Sequence, residues 1–205
     1  MKYAVFVFAA IVAYLIGGIN PAIVLSKGIY HQDIRQQGSG NPGFTNFKRV
    51  YGNRWAWFVF FLDIGKAVLV VGLFASLFES VLDMRQLGAA YTGFFTMIGH
   101  AFPIWYRFEG GKGFLVGAAT IFIIDWRVAL IALAIMMILL FCTKYMSLSV
   151  IIAAISCPIS LALFGTDAPQ TMIFCLLSVI LMILRHRSNI ERLIKGTENK
   201  FSLKS

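Results

Sequence analysis

Long apolar stretches separated by short polar ones run through the whole chain. They cover roughly residues 3–26, 55–78, 87–104, 114–124, 128–143, 148–164 and 171–184. A helix needs about 20 apolar residues to cross a bilayer, fewer where the bilayer thins or where flanking side chains reach the interface. The pattern therefore predicts an all-α membrane bundle of six or seven transmembrane helices, and the basic residues considered below favour seven. The 114–124 stretch is the weakest of the seven, because at about 1.5 Å per residue it covers only about half of a ~30 Å core.

The composition is that of an integral membrane protein. Hydrophobic residues make up 59% of the 205 and charged residues only 13%, and the mean hydropathy is +0.80, whereas soluble domains carry about 25% charged residues. We expect one domain over residues 1–205, with the first apolar run retained as a span rather than cleaved as a signal.

The basic residues predict how the chain is oriented. With seven spans, residues 27–54, 105–113, 144–147 and the tail from 185 lie on one side, and they hold fourteen of the eighteen lysines and arginines. Six spans would move the basic tail to the other side. Because basic residues concentrate in cytoplasmic loops, we predict a periplasmic N-terminus and a cytoplasmic C-terminus in a bacterial inner membrane. The net charge of +9 then needs no nucleic-acid partner.

The first polar segment, "DIRQQGSGNPGFTNFKRVYG" (33–52), combines turn residues with hydrogen-bonding groups and cations. Its glycines permit left-handed turns, whose consecutive N–H groups form anion-binding sites. The candidates for substrate binding are Gly38, Ser39, Gly40, Asn41, Thr45, Asn46 and Arg49. A solvated turn is the alternative. The G-x-G-x-x-G spacing of a dinucleotide site is also present, but without the strand that such a site requires.

The second polar segment, "GHAFPIWYRFEGGKGF" (99–114), ends in Gly110-Gly111-Lys112-Gly113 just before an apolar run. It lacks the spacing of a Walker P-loop, yet exposed N–H groups, a helix N-terminus and an ammonium together attract phosphate. Lys112 could alternatively be an ordinary membrane-side anchor. His100 is interpreted as structural, and no metal is expected because no second ligand stands at metal spacing.

The third polar segment, "LRHRSNIERLIKGTENK" (184–200), follows the last apolar run. His186, Asn189 and Arg192 recur every three residues, so a helix would present them on one face, and histidine is suited to proton transfer near neutral pH. A basic tail that merely follows the orientation rule is the alternative.

Two smaller features lie within the apolar runs. Asp63 and Lys66 are three residues apart, so we expect them to pair or to face a polar cavity. Ser147, with Ser149, either lines the same pocket as the three polar segments or caps a helix.

Together these motifs resemble the bacterial acyl-phosphate:glycerol-3-phosphate acyltransferases, the PlsY family. The likeness runs from "DIR..GSGN.G.TN..R" and "D..K" through "GH.FP", "F.GGKG" and "Y.SLS" to "HR.NI.RL..G.E", and it spans nearly the whole chain. The resemblance implies transfer of a fatty acyl group from acyl phosphate to the sn-1 hydroxyl of glycerol 3-phosphate, giving 1-acylglycerol 3-phosphate (lysophosphatidate) and phosphate. It implies seven spans, cytoplasmic motifs and no metal. We also predict no other cofactor and no obligate protein partner.

The resemblance also implies roles for individual residues. Phosphate would be bound by Gly110, Gly111, Lys112 and Gly113. Glycerol 3-phosphate would be held by the first segment, including Ser39 and Arg49, and by Asn189. His186 is the side-chain candidate for general base, and the substrate's own phosphate is the alternative. The acyl tail would lie between spans.

The chain departs from the family pattern at three places. Glu109 replaces a usually basic residue, Phe44 replaces an alanine, and Phe114-Leu115-Val116 replaces Val-Ala-Thr. A carboxylate beside a phosphate site weakens binding unless a cation such as Arg107 pairs with it.

Two other functions stay open on sequence alone. A transporter or flippase for a phosphorylated compound would suit the basic loops, although no internal repeat is present. An acyltransferase that uses acyl-CoA or acyl carrier protein would suit the His-x₄-Glu spacing of His186 and Glu191, although this spacing turns the two side chains apart on a helix.

Overall fold

A computed structural model describes residues 2–201, and over this range the regular elements are all helical, as predicted. Lys204, which was counted among the basic tail residues, lies outside the described residues. The helices are α1 (Lys2–Gly17), α2 (Pro21–Tyr30), α3 (Phe44–Tyr51), α4 (Asn53–Leu82), α5 (Arg85–Ala101), α6 (Phe114–Ile124), α7 (Trp126–Thr143), α8 (Met146–Phe164), α9 (Pro169–Arg185) and α10 (Arg187–Ile194). Two single 3₁₀ turns, Ile34–Gln36 and Ile104–Tyr106, lie in the connections.

Each predicted apolar stretch is helical, the first of them as two helices, but not every helix meets the length of a membrane span by itself. Among the described residues, four stretches are long and apolar enough to cross: Tyr3–Tyr30, Asn53–Leu82, Trp126–Thr143 and Met146–Phe164. The pair α9 and α10 passes only jointly and is bent by 58°. The chain is therefore a multi-helix membrane protein, and the count of seven spans stays a prediction.

The first predicted span is interrupted where α1 ends and α2 begins. Asn20 caps α2 through a side-chain oxygen that accepts from the Ile23 N–H at 3.1 Å, and Pro21 occupies the first helical position, where its missing N–H has no cost. The Asn20 amide also donates to the Pro42 carbonyl at 3.1 Å. This residue therefore ties the start of α2 to the first polar segment.

Helix α5 lies at the centre of the bundle, where it packs against α1, α4, α6 and α9. Its glycines lie where neighbouring helices approach α5 closely. A Cβ on Gly99 would lie 2.1 Å from the Tyr14 carbonyl oxygen of α1, and one on Gly93 would lie 2.1 Å from the Thr120 methyl group of α6. Small residues allow such approaches, and in a membrane close packing drives helix association. The sequence of α5 thereby positions α6 and the segment that precedes it.

Two of the polar segments contain helices of their own. Helix α3 lies within the first segment and α10 within the third. Helix α3 packs its buried Phe47 into a cluster with Ile23, Ile34 and Val59, which attaches the segment to α2 and α4. The bend at His186 turns α10 away from α9 and brings its polar face back towards the bundle end.

Candidate active site

One cleft of about 1080 Å³ opens between the three polar segments, α4 and the facing ends of α7 and α8. Most of the predicted site residues line it: Ser39, Asn41, Thr45, Asn46, Arg49, Lys112, Gly113, Ser147, His186 and Asn189. Gly38, Gly40, Gly110 and Gly111 are not among its lining residues. Distant parts of the chain thus meet at one place.

The first segment is held in shape by Asn46, which is only 1% exposed. Its Oδ1 accepts from the Ser39 N–H at 2.8 Å, and its Nδ2 donates to the Gln37 carbonyl at 3.0 Å. A Cβ on Gly38, which has φ +57°, would lie 2.4 Å from Asn46 Oδ1. The Asn46 amide therefore holds the turn that presents Ser39, and because Asn46 also lines the cleft, its contact with substrate stays a prediction.

The glycines of the first segment do not all adopt the left-handed conformation. Gly38 and Gly40 have positive φ, whereas Gly43 is extended at φ −155° and precedes α3. Phe44, the first residue of α3, packs against Trp57 and Phe60 with ring centroids 5.3 and 5.5 Å away. The bulky residue at this position therefore forms part of the apolar cleft wall rather than filling the turn.

The glycines of the second segment do not expose their N–H groups, which corrects the sequence expectation. The Gly111 N–H donates to the His100 carbonyl at 2.9 Å, and the Gly110 N–H donates to the Ala101 carbonyl at 3.2 Å. Arg185 donates to the carbonyls of Gly110 and Gly111 at 2.8 and 3.1 Å. These two glycines therefore allow the segment to lie against the end of α5, and this packing aims the next residue, Lys112, into the cleft.

The N-terminus of α6 is the part of this segment that can bind an anion. Gly113 has φ +82° and caps the helix, and its carbonyl accepts the first helical hydrogen bond from Gly117. The N–H groups of the first turn have no partner within a helix, and the helix dipole adds positive potential there. Phe114 and Leu115 line the cleft here with apolar side chains, and the threonine hydroxyl of the family pattern is absent.

Glu109 does not place its charge in the cleft. Its carboxylate lies 3.3 Å from a guanidinium nitrogen of Arg35, and its side chain is 73% exposed. Arg35, rather than Arg107, is thus the cation that pairs with this departure from the family pattern. Arg35 also contacts Asp33 at 2.7 Å and donates to the Tyr106 carbonyl at 2.9 Å, so the pair joins the first and second segments.

The third segment contributes a hydrogen-bonded network centred on Glu198. Its Oε1 accepts from Asn189 Nδ2 at 2.7 Å and from Ser147 Oγ at 2.8 Å, and its Oε2 accepts from Arg192 Nε at 2.7 Å. Asn189 Oδ1 in turn accepts from Lys112 Nζ. Ser149 instead donates to the Tyr145 carbonyl at 2.9 Å, so only the first of the two serines serves the cleft.

Sequence reasoning assigned no role to Glu198. Burial by itself would raise the pKa of this carboxyl, but hydrogen bonds from Asn189, Ser147 and Arg192 outweigh burial and lower it. The residue therefore carries a negative charge that balances part of the cationic cleft. A signal was present, because Glu198 is the single acid of the segment "KGTENK" and stands in the last motif of the resemblance.

The environment of the cleft lowers the pKa values of Lys112 and His186. Burial, together with the charges of Arg192, Arg185 and Arg49, lowers the pKa of Lys112 to about 8. Burial and the nearby Lys112 lower the pKa of His186 to about 4, so this imidazole is neutral at pH 7. Its Nδ1 lies 2.8 Å from the Met182 carbonyl. Since a carbonyl only accepts, Nδ1 carries the proton and Nε2 retains a lone pair.

The deep end of the cleft is lined by Asp63 and His100. Asp63 pairs with Lys66, the Oδ1 to Nζ distance being 2.8 Å, which confirms the predicted pairing. Lys66 Nζ also donates to the Ile19 carbonyl at 2.7 Å and lies 3.0 Å from His100 Nδ1. Within the described residues, no three His, Cys, Asp or Glu side chains are grouped as a metal site.

Part of the cleft lining is apolar. Helices α4 and α7 contribute Trp57, Phe60, Met136, Met137, Leu140 and Phe141 to it. The remaining lining includes the cations and hydrogen-bonding groups described above. A ligand with an anionic head and a long apolar tail would therefore find both environments within one opening.

Comparison with known proteins agrees with this arrangement. A family profile described as "Glycerol-3-phosphate acyltransferase" matches residues 7–196. Two curated proteins of that name are 40% identical over 97% of both chains (Thermoanaerobacter pseudethanolicus) and 37% identical over 98% of both chains (Finegoldia magna).

Two solved structures are also similar, both of PlsY (YgiH), an integral membrane glycerol 3-phosphate acyltransferase. The glycerol 3-phosphate form superposes with a TM-score of 0.87 at 31% identity and covers 96% of each chain. The lysophosphatidic acid form superposes with a TM-score of 0.83 at 31% identity, over 96% of this chain and 95% of that one. Since the matches run through all three polar segments and the helices that join them, the chain belongs to the glycerol-3-phosphate acyltransferase family.

Proposed function

We propose that the protein transfers a fatty acyl group from acyl phosphate to the sn-1 hydroxyl of glycerol 3-phosphate, releasing lysophosphatidate and inorganic phosphate. The observation that carries the proposal is the single cleft shared by Arg49, Lys112, His186 and Asn189. Relatives named for glycerol 3-phosphate acylation, and a PlsY structure in its glycerol 3-phosphate form, support the acceptor. The resemblance, and a cleft with cationic groups for a second phosphate, support acyl phosphate as the donor.

The reaction needs orientation and charge stabilisation more than covalent catalysis. The glycerol hydroxyl oxygen attacks the acyl carbonyl carbon, the bond between that carbon and the phosphate oxygen breaks, and phosphate leaves with the electron pair. Phosphate is a good leaving group, so no acyl-enzyme intermediate is needed. Holding two anions in line can supply up to about 7–11 kcal/mol of the barrier.

We assign the phosphate of the donor to Lys112 and the N-terminus of α6. An ammonium beside free N–H groups binds a phosphate dianion and stabilises the negative charge that grows as phosphate leaves. Gly110 and Gly111 donate their N–H groups to carbonyls of α5. We therefore propose that they hold the segment that positions Lys112 and do not contact the phosphate themselves. Gly113 keeps a direct role, since it begins the helix at the cleft.

We assign glycerol 3-phosphate to the first and third segments. Ser39, Asn41, Thr45 and Arg49 face the cleft from one side and Asn189 and Ser147 face it from another. Gly38, Gly40 and Asn46 hold the turn that presents these groups. An arginine matches the geometry of a phosphate group through paired N–H donors.

The hydroxyl proton has two possible acceptors in this arrangement, Nε2 of His186 and an oxygen of the substrate phosphate. The lone pair of Nε2 is available because Nδ1 is bonded to the Met182 carbonyl. The bound dianions raise the proton affinity of His186 above that of the empty cleft, because an opposite charge favours the imidazolium. His186 therefore serves as general base most effectively when both substrates are bound.

The acyl tail is assigned to the apolar side of the cleft. Phe114, Met136 and Val150 line both the cleft and an apolar cavity of about 110 Å³ between α5, α6, α7, α8 and α9. The acyl tail can therefore extend from the polar part of the cleft directly into an apolar cavity. This placement agrees with the expectation that membrane lipids surround the donor and the product.

We further propose seven spans with the cleft on the cytoplasmic face of a bacterial inner membrane. The proposal is supported by the fourteen basic residues in four predicted loops and by the observation that all four loops contribute lining to one cleft. Basic residues concentrate on the cytoplasmic side of membrane proteins. Such a location gives the site access to soluble glycerol 3-phosphate.

The direct test is phosphate release by detergent-purified protein. Phosphate should be released from palmitoyl phosphate only when glycerol 3-phosphate is also present, and lysophosphatidate should appear in equal amount. Dihydroxyacetone as acceptor serves as the control that lacks phosphate. Equal turnover with palmitoyl-CoA would contradict the donor, and movement of glycerol 3-phosphate into proteoliposomes without acylation would favour a transporter.

A further inference from the structure

The imidazole of His100 belongs to an ordered array at the deep end of the cleft. The side chains of Asp63 and His100 are 2% and 5% exposed, respectively, and that of Lys66 is 9% exposed. Lys66 Nζ has three neighbours within 3.0 Å: the Ile19 carbonyl, Asp63 Oδ1 and His100 Nδ1. An ammonium has three N–H groups and no lone pair. The Ile19 carbonyl and His100 Nδ1 each take one in a hydrogen bond, whereas Asp63 Oδ1 forms an ion pair with the ammonium and has no hydrogen-bond partner among the described residues.

This arrangement determines which nitrogen of His100 carries the proton. Because Lys66 only donates, Nδ1 must accept, and the single proton of the neutral ring lies on Nε2. Asp63 Oδ1 could compete for a proton on Nδ1, but it is 3.5 Å away, farther than the ammonium. A second proton on the ring would place two cations in contact. The array thus favours the neutral Nε2–H form.

The Nε2–H group lies beside the phosphate-binding end of the second segment. A Cβ on Gly111 would be 2.2 Å from Nε2, so the ring nitrogen packs against the backbone immediately before Lys112. His100 also lines the cleft. Within residues 2–201 no hydrogen bond to Nε2 is found, and Nε2 is not one of the buried polar atoms that lack a partner. The group is therefore accessible from the cleft and available to a ligand oxygen.

We propose that His100 is a further catalytic residue, whose Nε2–H donates a hydrogen bond to an anionic oxygen of the acyl donor. The inference rests on the proposed function for the identity of that donor. The oxygen is either the acyl carbonyl oxygen, which becomes negative as the hydroxyl attacks, or an oxygen of the phosphate. Lys66 is a positioning residue that holds the tautomer, and Asp63 forms an ion pair with Lys66. No bond is made or broken at His100 itself.

Two substitutions distinguish hydrogen-bond donation by the His100 ring from a role of the ring in packing. His100→Gln places an amide N–H near the position of Nε2, whereas His100→Asn places its amide near Nδ1 and can still accept from Lys66. We expect His100→Gln to stay within about tenfold of the wild-type kcat and His100→Asn to lose about 100-fold, the scale of losing one oxyanion donor. His100→Asn being as active as His100→Gln would overturn the proposal.

The kinetic constants also distinguish the two oxygens. A fall in kcat at unchanged KM for palmitoyl phosphate indicates donation to the carbonyl oxygen in the transition state. A rise in KM indicates donation to the phosphate in the bound substrate. Equal unfolding temperatures of both variants in detergent verify that the comparison is between folded proteins.

The role of His100 can also be tested on the wild-type protein by a measurement that does not depend on turnover. With ¹⁵N-labelled histidine, the ring nitrogens of His100 should show the Nε2–H tautomer, and the Nε2 signal should move when a non-hydrolysable palmitoyl phosphonate binds. An Nδ1–H tautomer, or an Nε2 signal unchanged by saturating phosphonate, would refute the role. Failure of the wild type to turn over palmitoyl phosphate would refute the proposed function, and the spectra would still decide the role of His100.

Discussion

Lys112 and Asn189, which are 77 positions apart in the sequence, are joined by a hydrogen bond from Nζ to Oδ1. The same amide group donates through Nδ2 to Glu198 at 2.7 Å. The ammonium of the second segment is therefore oriented by an amide of the third, and that amide is oriented by a carboxylate. This relay explains how a lysine on a glycine-rich segment keeps a defined position beside an opening wide enough for two substrates.

Replacement of Lys112 by alanine should reduce kcat/KM by roughly 10- to 150-fold, because a hydrogen bond to a charged group contributes about 1.5–3 kcal/mol. The measurement is phosphate release from palmitoyl phosphate with saturating glycerol 3-phosphate. Lys195→Ala is the matched control, since Lys195 is exposed and outside the cleft lining. A Lys112→Ala rate within twofold of the wild type would mean that the phosphate of the donor binds elsewhere.

The pH dependence of kcat/KM should show an alkaline limb near the pKa of Lys112. Burial and neighbouring arginines lower that pKa to about 8, so the ammonium is lost, and activity falls, as the pH rises through about 8. Lys112→Arg should move the limb to higher pH because a guanidinium stays charged.

Glu198→Gln should shift the same limb in the opposite direction. The Glu198 carboxylate raises the pKa of Lys112, so its neutralisation should move the limb to lower pH. Glu191→Gln, on an exposed side chain of α10, should leave the profile unchanged. Identical profiles for wild type, Lys112→Arg and Glu198→Gln would show that another group titrates.

Gly111→Ala should disturb the second segment, because the added Cβ would lie 2.2 Å from His100 Nε2. The segment cannot move away freely, since the Gly111 N–H and carbonyl are bonded to His100 and Arg185. We expect activity to fall at least about tenfold, because a displaced segment weakens a hydrogen bond to a charged group. Gly65→Ala, where nothing lies within 4 Å of the new Cβ, should stay within twofold. Similar rates for both variants would show that this close contact is unimportant.

Cysteine labelling tests the proposed orientation. Ser39→Cys and Ser188→Cys, both at exposed positions, should react with a membrane-impermeant maleimide only in inside-out vesicles. The background lacks the native cysteines, including the exposed Cys142. Labelling of either position in intact spheroplasts would place that segment on the periplasmic side and contradict the orientation.

Sequence alone was sufficient for features that depend on local pattern. Apolar runs report burial in lipid or protein along each helix, so the all-α membrane class and the seven helical stretches could be predicted. The spacing of His186, Asn189 and Arg192 predicted a shared helical face. In the structure Asn189 and Arg192 both donate hydrogen bonds to Glu198. Motif spacing likewise identified the three segments that line the cleft.

Only the tertiary structure decided how individual polar groups are used. The N–H groups of Gly110 and Gly111 face α5, and the Asn46 amide holds its own turn. Glu198 folds back onto Ser147, which lies 51 positions earlier. The tautomer of His100 follows from Lys66 on another helix. Hydrogen bonds depend on which distant segments meet and at what angle, and one-dimensional periodicity contains neither quantity.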